Sequence, residues 1–559
     1  MRIGNASGFY GDRFTAWQEM LSGGELDVLT GDYLAELTML ILGRDRARDP
    51  ATGYAKTFLR QLEATLGPAV ERGVRLVTNA GGLNPAGLAE AIRALADRLG
   101  ISVRVAHVTG DDLTLTAATL GLGTPLTANA YLGAFGIAEC LGAGADVVVT
   151  GRVTDASLVV GPAVAHFGWS RTDYDRLAGA TVAGHILECG AQATGGNYSF
   201  FTELPDGGRH PGFPIAELEA DGTCVITKHP GTGGAVTVET VTAQLLYEIG
   251  SPAYAGPDVV AHFDAVALEQ EGADRVRVSG AHGTPPPPEL KVAVNTLGGF
   301  RNSMTFVLCG LDVDEKAALV RSQLTDALGA EGLQWTLART GRPDAATTEE
   351  ASALLHVHIQ DSDGKRAGRT FSQAAVELAL ASYPGCTLTT LPGGATPFGV
   401  YSAAYVPQEA VPHTAVLPDG STVDIAPPPA VTPLESTAPE PLAPSFVETT
   451  TRRAPLGTVA GARSGDKGGD ANLGVWARSD AAYHWLRGYL TIARLTELLP
   501  ETEGCRVERY ELPRLRAVNF MIYGLLGAGV AASTRFDPQA KALGELLRAR
   551  VVDIPEDLP

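Results

Sequence analysis

What the chain lacks narrows it first. Among 559 residues there is no run of Lys or Arg, and the formal net charge is -20. A surface that tracks phosphates needs clustered positive charge, so nucleic acid and anionic membrane are excluded as expected partners. Cysteines are few and scattered: Cys140, Cys189, Cys224, Cys309, Cys386 and Cys505, with no C-x-x-C pair. That pattern argues for reduced thiols and against a disulfide scaffold or a zinc site, and the expected location is cytoplasmic. The longest apolar stretch, NFMIYGLLGAGVAA from Asn519, is broken by glycine. It falls short of the roughly 18 residues a membrane span requires. Nothing at the N-terminus reads as a signal peptide, because RIGNASG already has the texture of a strand and turn. No dinucleotide fingerprint, Walker loop or internal repeat is present; GLGTPL lacks the third glycine and the acidic partner.

What is present is a rhythm. From Met1 to about Phe200, short apolar runs alternate with helical periodicity: RIGNASG, LDVLTGDYL, VRLVTNAGG, VRVAHVTGD and ADVVVTGRVTD. Between them lie segments such as PAGLAEAIRALADRLG, apolar at i, i+3 and i+4. Strands alternating with helices predict an α/β domain with a mainly parallel sheet flanked by helices. Ligands in such sheets lie beyond the carboxyl ends of the strands. Asn5, Ser7, Gly8, Asp12, Asp32, Asn79, Gly81, Gly82, Asp111, Arg152, Thr154 and Asp155 all stand at those ends and are expected to gather on one edge. Taken singly, each is also an ordinary turn or cap residue.

The texture turns to β-structure between about Thr223 and Arg301, so a sub-boundary near residue 222 is expected. Residues 422–455 are proline-rich and read as an extended linker. The expected organisation is a core domain over 1–421, the linker, and a small α+β domain over 456–559.

Four stretches carry candidate chemistry. In GARSGDKGGDANLG (461–474), glycines 465, 468 and 469 permit a nest of backbone N–H groups. Lys467 would add a point charge and Arg463 a fork, with Asp466 and Asn472 beside them; a charged surface hairpin is the plain alternative. In GHILECGAQATGGNYSF (184–200), a helical HILEC puts His185 and Cys189 four apart on one face. His185 would lower the thiol's pKa and make a nucleophile, while Gln192 and the GGN turn with Asn197 supply amide donors. The plain reading is a packed thiol, which leaves His185 and Glu188 as acid–base groups. In LLHVHIQDSDG, His356 and His358 share a strand face ahead of Asp361 and Asp363, a weak metal pattern or a solvated strand edge. TKHPGTGG carries Lys228 and His229 on a basic turn that meets an anion or merely closes a hairpin.

IGNASGFYGDR, LTGDYLAELT, VTNAGGLNP, TGRVTDASL, ECGAQATGGNY, TKHPGTGG and GARSGDKGGDANLGVWAR with NFMIYGLLGAGV resemble, in order, the acyclic terpene utilisation AtuA family. The resemblance implies a large α/β domain followed by a ferredoxin-like α+β domain. It also implies a setting beside acyl-CoA carboxylases, hydratases and dehydrogenases of citronellol, geraniol and branched-chain acid breakdown. No cofactor is firmly expected and no metal ligand is assigned, a CoA thioester is the candidate substrate moiety, and a metal-dependent hydrolase stands as a third reading. The leading expectation is an enzyme with Asp32, Asp155 and His185 as acid–base groups, Asn79 as orienting amide, and Arg152 and Cys189 completing the catalytic set. The alternative is a non-catalytic subunit docking to an acyl-CoA carboxylase or hydratase. A homo-oligomer is expected in either case.

Overall fold

The computed structural model describes residues 1–434 and 450–558. Five apolar runs form the parallel centre of one sheet: β1 (Arg2–Asn5), β2 (Val28–Gly31), β3 (Arg75–Thr78), β4 (Val105–Thr109) and, after a short β5 (Thr127–Ala130), β6 (Val147–Thr150). Their order is β1-β2-β3-β6-β4, with parallel pairing throughout. They are buried almost end to end, as strands covered on both faces must be.

The expectation of a mainly parallel sheet needs correction. The full sheet has 11 strands and is open. Strands β7 (Pro214–Leu218) and β8 (Cys224–Lys228) extend it antiparallel beyond β1. Thr414–Val416 and Thr422–Asp424 do so beyond β4. Within each added pair the second strand follows the first by a hairpin, which can only pair antiparallel. β7 joins β1 and Thr414–Val416 joins β4 across long stretches of chain. The textural change near residue 222 is therefore the β7–β8 turn within one sheet. Of the proline-rich stretch, Thr422–Asp424 is a sheet strand and Thr451–Pro455 pairs with Val551–Pro555; residues 435–449 lie outside the described residues.

Helix Pro85–Leu99 shows how the sequence builds the flanking layers. Asn84 caps it by accepting from Gly87 N at 2.9 Å, Pro85 opens it, and Gly100 at φ 69° closes it. Its Leu88, Ile92 and Leu95 are buried.

By compactness the chain forms two units: 1–295 with 401–530 and 537–559, and 296–400 with 531–536. In the first, the C-terminal part is a four-stranded antiparallel sheet ordered Ala460–Lys467, Asp470–Ala477, Ala517–Tyr523, Arg506–Leu512. Helices Asp480–Tyr489, Ile492–Leu498 and Leu543–Arg548 accompany it. The second unit is a sheet in which Ser352–Asp361 is paired on both sides. His356 and His358 thus stand on an interior strand, not an edge. His356 Nδ1 lies 2.8 Å from Thr305 Oγ1, and Asp361 pairs with Arg366. Among the described residues no group of three or more His, Cys, Asp or Glu is placed to hold a metal ion.

Candidate functional site

The strand ends do converge. Asp32, just past β2, accepts from Asn79 Nδ2 at 2.6 Å and from Leu34 N at 3.1 Å. Asn79, just past β3, uses its other end to accept from Tyr33 N at 2.8 Å. Past β6, Arg152 donates to both oxygens of Asp155 at 2.8 and 3.1 Å and to Leu34 O at 2.8 Å. Asp111, past β4, accepts from Arg152 N and from Asn129 Nδ2, both at 2.8 Å. Asn79 is fully buried, and Asp32, Asp111 and Arg152 nearly so.

Helix Tyr174–Glu188 runs its C-terminal end into this edge, and Asn5 holds it there by donating to Leu187 O at 2.6 Å. The helix stops at Glu188. Cys189 is its cap, and the expected pairing is not formed, because neither imidazole nitrogen of His185 hydrogen-bonds the thiol. His185 Nδ1 lies 3.0 Å from Glu188 Oε1 instead. Neither imidazole nitrogen, nor Glu188 Oε2, meets a protein partner in hydrogen-bond geometry.

The C-terminal part completes the cluster. Residues Asp466 to Asp470 make a tight hairpin whose strands end at Lys467 and restart at Asp470. Gly468 and Gly469, two of the three glycines of the expected anion nest, form its turn. Gly468 has φ 69°, and a Cβ there would stand 2.8 Å from the Tyr401 ring. The glycines therefore let the tip pack and project Lys467. The Lys467 ammonium donates to Glu248 O at 2.8 Å and lies 5.9 Å from the Tyr254 ring. Arg463 reaches Gln192 and stacks 4.4 Å over Tyr247.

Electrostatics follow from enclosure. Burial pushes the Asp32 carboxyl well up, Asp155 adds to this, and Arg152 and Asn79 oppose it. Glu188 is raised in the same way by burial, then Asp155 and Glu248. Glu248 is raised by burial against the pull of Tyr247 and Lys467. Asp466 is pushed up to about 8 by burial with Glu248 and Glu36 nearby, and Asp111 to about 7 by burial. Burial and the Lys467 charge hold His185 down at about 4, a neutral imidazole. Lys467 itself is lowered by burial and by Lys291. The Cys189 thiol is raised well above its usual value by burial, Glu188 and Glu248. Burial thus opposes the thiolate that an activated nucleophile needs, and His185 is held neutral beside it.

Several expected ligand groups are spent elsewhere. Asn472 is fully buried and binds Leu246 O, Asn519 Oδ1 and Glu248 N, so it positions that segment. Asn197 is an exposed turn residue at φ 56°, a conformation Asn tolerates. Thr154 Oγ1 meets Ser157 Oγ at the start of helix Ser157–Phe167. Ser7 Oγ donates to Phe9 O, and Gly8 N donates to Asp12 Oδ2. Gly81 packs against Thr150 O and Gly82 turns at φ 53°. Lys228 is held by Thr232 O and Asp274, and His229 by Met20 O.

Sequence reading missed Glu36, Glu248, Lys291, Tyr131, Tyr254 and Tyr401. All six are half-buried, the exposure expected of groups lining a cleft beside a sealed polar floor. Only the glycine-flanked YEIGSP stretch hinted at Glu248.

No curated protein matches the chain closely enough to stand as a relative. Family matching is specific: residues 1–417 match the acyclic terpene utilisation family protein AtuA, and residues 454–553 match the AtuA ferredoxin-like domain. With most of its length matched, and with the strand-end cluster and C-terminal hairpin lying in the matched segments, the chain belongs to the AtuA family of acyclic terpene utilisation proteins.

Proposed function

We propose that this chain is an enzyme of acyclic terpenoid or branched-chain acid breakdown. It moves protons on an activated carboxylate of the acyl-CoA class, in a hydratase or lyase step. One observation carries the reading: in one enclosed cluster, carboxyl groups that favour their protons (Asp32, Glu188, Glu248) meet a neutral imidazole (His185) and two cations (Arg152, Lys467). Protonated carboxyls can donate at neutral pH, and a neutral imidazole can accept. The Glu188–His185 pair stands 3.0 Å apart but out of hydrogen-bond geometry, so a small rotation of either side chain would make it a proton relay. In this reading it removes the proton beside the thioester carbonyl. Lys467 and Arg152 favour the negative charge that then grows on the carbonyl oxygen. Asp32, oriented by Asn79, protonates the departing group.

A docking subunit would have no use for this arrangement. Burying several carboxyls near one another is destabilising, and perturbed groups gathered at strand ends are the mark of chemistry.

The test is solvent deuterium exchange into the α-carbon of crotonyl-CoA and butyryl-CoA, read by mass spectrometry. Exchange is expected with the full chain, with a loss of roughly a hundredfold in Glu188→Gln for both thioesters and in Asp32→Asn for crotonyl-CoA, whose exchange passes through a departing hydroxyl. Exchange that is undiminished in both folded variants, or absent with every acyl-CoA offered, refutes the reading.

A further inference from the structure

Lys291 is a cation that no motif announced and that makes no salt bridge among the described residues. It sits just before Val292, which opens the stretch paired with β5. Its ammonium lies 5.0 Å from the Tyr131 ring and 5.8 Å from the Tyr401 ring. Among the described residues nothing accepts a hydrogen bond from it, and no carboxylate lies within 4.0 Å. Lys467 faces the same space with one donor used, on Glu248 O, and likewise has no carboxylate within 4.0 Å. Each ammonium carries three donors and is expensive to desolvate without partners. Glu36, at the same end, favours the charge on both lysines from a longer distance. Arg152 stacks on Tyr131 too, 4.4 Å away, but its fork is committed to Asp155 and Leu34 O.

We infer that Lys291 and Lys467 form a clamp for a free carboxylate, so that the acyl substrate carries a second, unactivated carboxyl group. The substrate class is then the half-thioester of a dicarboxylic acid, in contrast to a simple fatty acyl thioester. One carboxylate oxygen would meet each lysine in a charge-assisted hydrogen bond. The aromatic faces of Tyr131, Tyr254 and Tyr401 would flank the carbon chain. This inference rests on the acyl-CoA reading above and names its substrate.

The experiment is calorimetric titration of the full chain with glutaryl-CoA, butyryl-CoA and inorganic phosphate, repeated on Lys291→Met. The two thioesters share the activated end and differ in the free carboxylate, so glutaryl-CoA is expected to bind about tenfold or more tightly than butyryl-CoA, as a charge-assisted bond implies. Lys291→Met should erase that preference and leave butyryl-CoA binding unchanged. Because Lys291 repels Lys467, the ligand-free variant should melt within on the order of 2 °C of the parent. Equal affinity for the two thioesters, no binding of either, phosphate binding as tight as glutaryl-CoA, or a preference that survives in Lys291→Met would each overturn the clamp. Deuterium exchange separates the two proposals. A glutaryl-CoA preference without exchange into either thioester sinks the acid–base reading alone, and exchange without the preference sinks the clamp alone.

Discussion

Removing the Asn472 amide should loosen the C-terminal part from the site it completes. Asn472 Nδ2 donates to Leu246 O at 2.9 Å and to Asn519 Oδ1 at 2.6 Å, while its Oδ1 accepts from Glu248 N at 2.8 Å. All three bonds are buried or half-buried. Asn472→Ala strands three polar groups, and each unsatisfied group costs about 1 kcal/mol or more, so the variant should lose about 3 kcal/mol. Asn519→Ala strands Gly250 O, bound at 2.7 Å, and the Asn472 amide, for about 2 kcal/mol. The two substitutions share one bond whose two stranded ends both vanish in the double variant, which should lose about 3 kcal/mol, less than the sum of its parts. Urea unfolding followed by circular dichroism measures each loss, and deuterium exchange should fall with it because Glu248 and Lys467 lose their setting. A loss below about 1 kcal/mol for Asn472→Ala, or strict additivity in the double variant, would refute the latch.

Three further outcomes are expected. Asp466 has a folded pKa raised to about 8 from 3.8, so the folded chain binds more protons there than the unfolded chain between those values. Its contribution to stability therefore falls as pH rises from about 4 to about 8; melting curves of Asp466→Asn should lack that decline, and an identical pH profile would contradict the assignment. Arg152→Met leaves Asp155 and Asp32 without their buried counter-charge and should destabilise by about 3 kcal/mol or more, measured by the same urea titration; a neutral result would show that the pair is dispensable. The Cys189 thiol holds its proton, so it should resist iodoacetamide at neutral pH in the folded chain, and Cys189→Ala should keep most of the exchange rate; rapid alkylation or loss of exchange would restore the thiol as a nucleophile.

The sheet's parallel centre was legible because strands covered on both faces must be apolar without interruption, and five such runs stand out in the chain. The antiparallel flanks were less so: a hairpin strand such as Pro214–Leu218 carries the same apolar pattern, and direction is set by connection length. Asp32, Asn79, Arg152 and Asp155 could be named because strand ends are fixed points of an α/β fold. Glu248 and Lys291 could not, since they reach the cluster through a left-handed turn and a late strand whose placement depends on long-range pairing. Cys189 shows the opposite error. Spacing put it four residues after His185, but the imidazole lies against Glu188 and makes no hydrogen bond with the thiol.

Glu248 explains why the site needs two parts of the chain. It is one of the few non-glycine residues with positive φ, 56°, a conformation that costs about 1 kcal/mol or more for a residue with a side chain. Both of its main-chain groups are held from the C-terminal sheet: its N–H by Asn472 Oδ1 and its carbonyl by the Lys467 ammonium. The fit extends to the surface beneath. A Cβ at Gly465 would stand 2.5 Å from the Tyr247 ring, and one at Gly474 would stand 2.5 Å from the Leu246 Cβ. Only glycine at those two positions lets residues 246–248 lie flat on the strands. Without the C-terminal sheet, Glu248 would relax to an ordinary backbone conformation and carry its carboxyl away from Glu188 and Lys467. The hairpin thus supplies more than a cation: it holds the strained turn that aims a carboxyl into the cluster, so each half of the site is misplaced without the other.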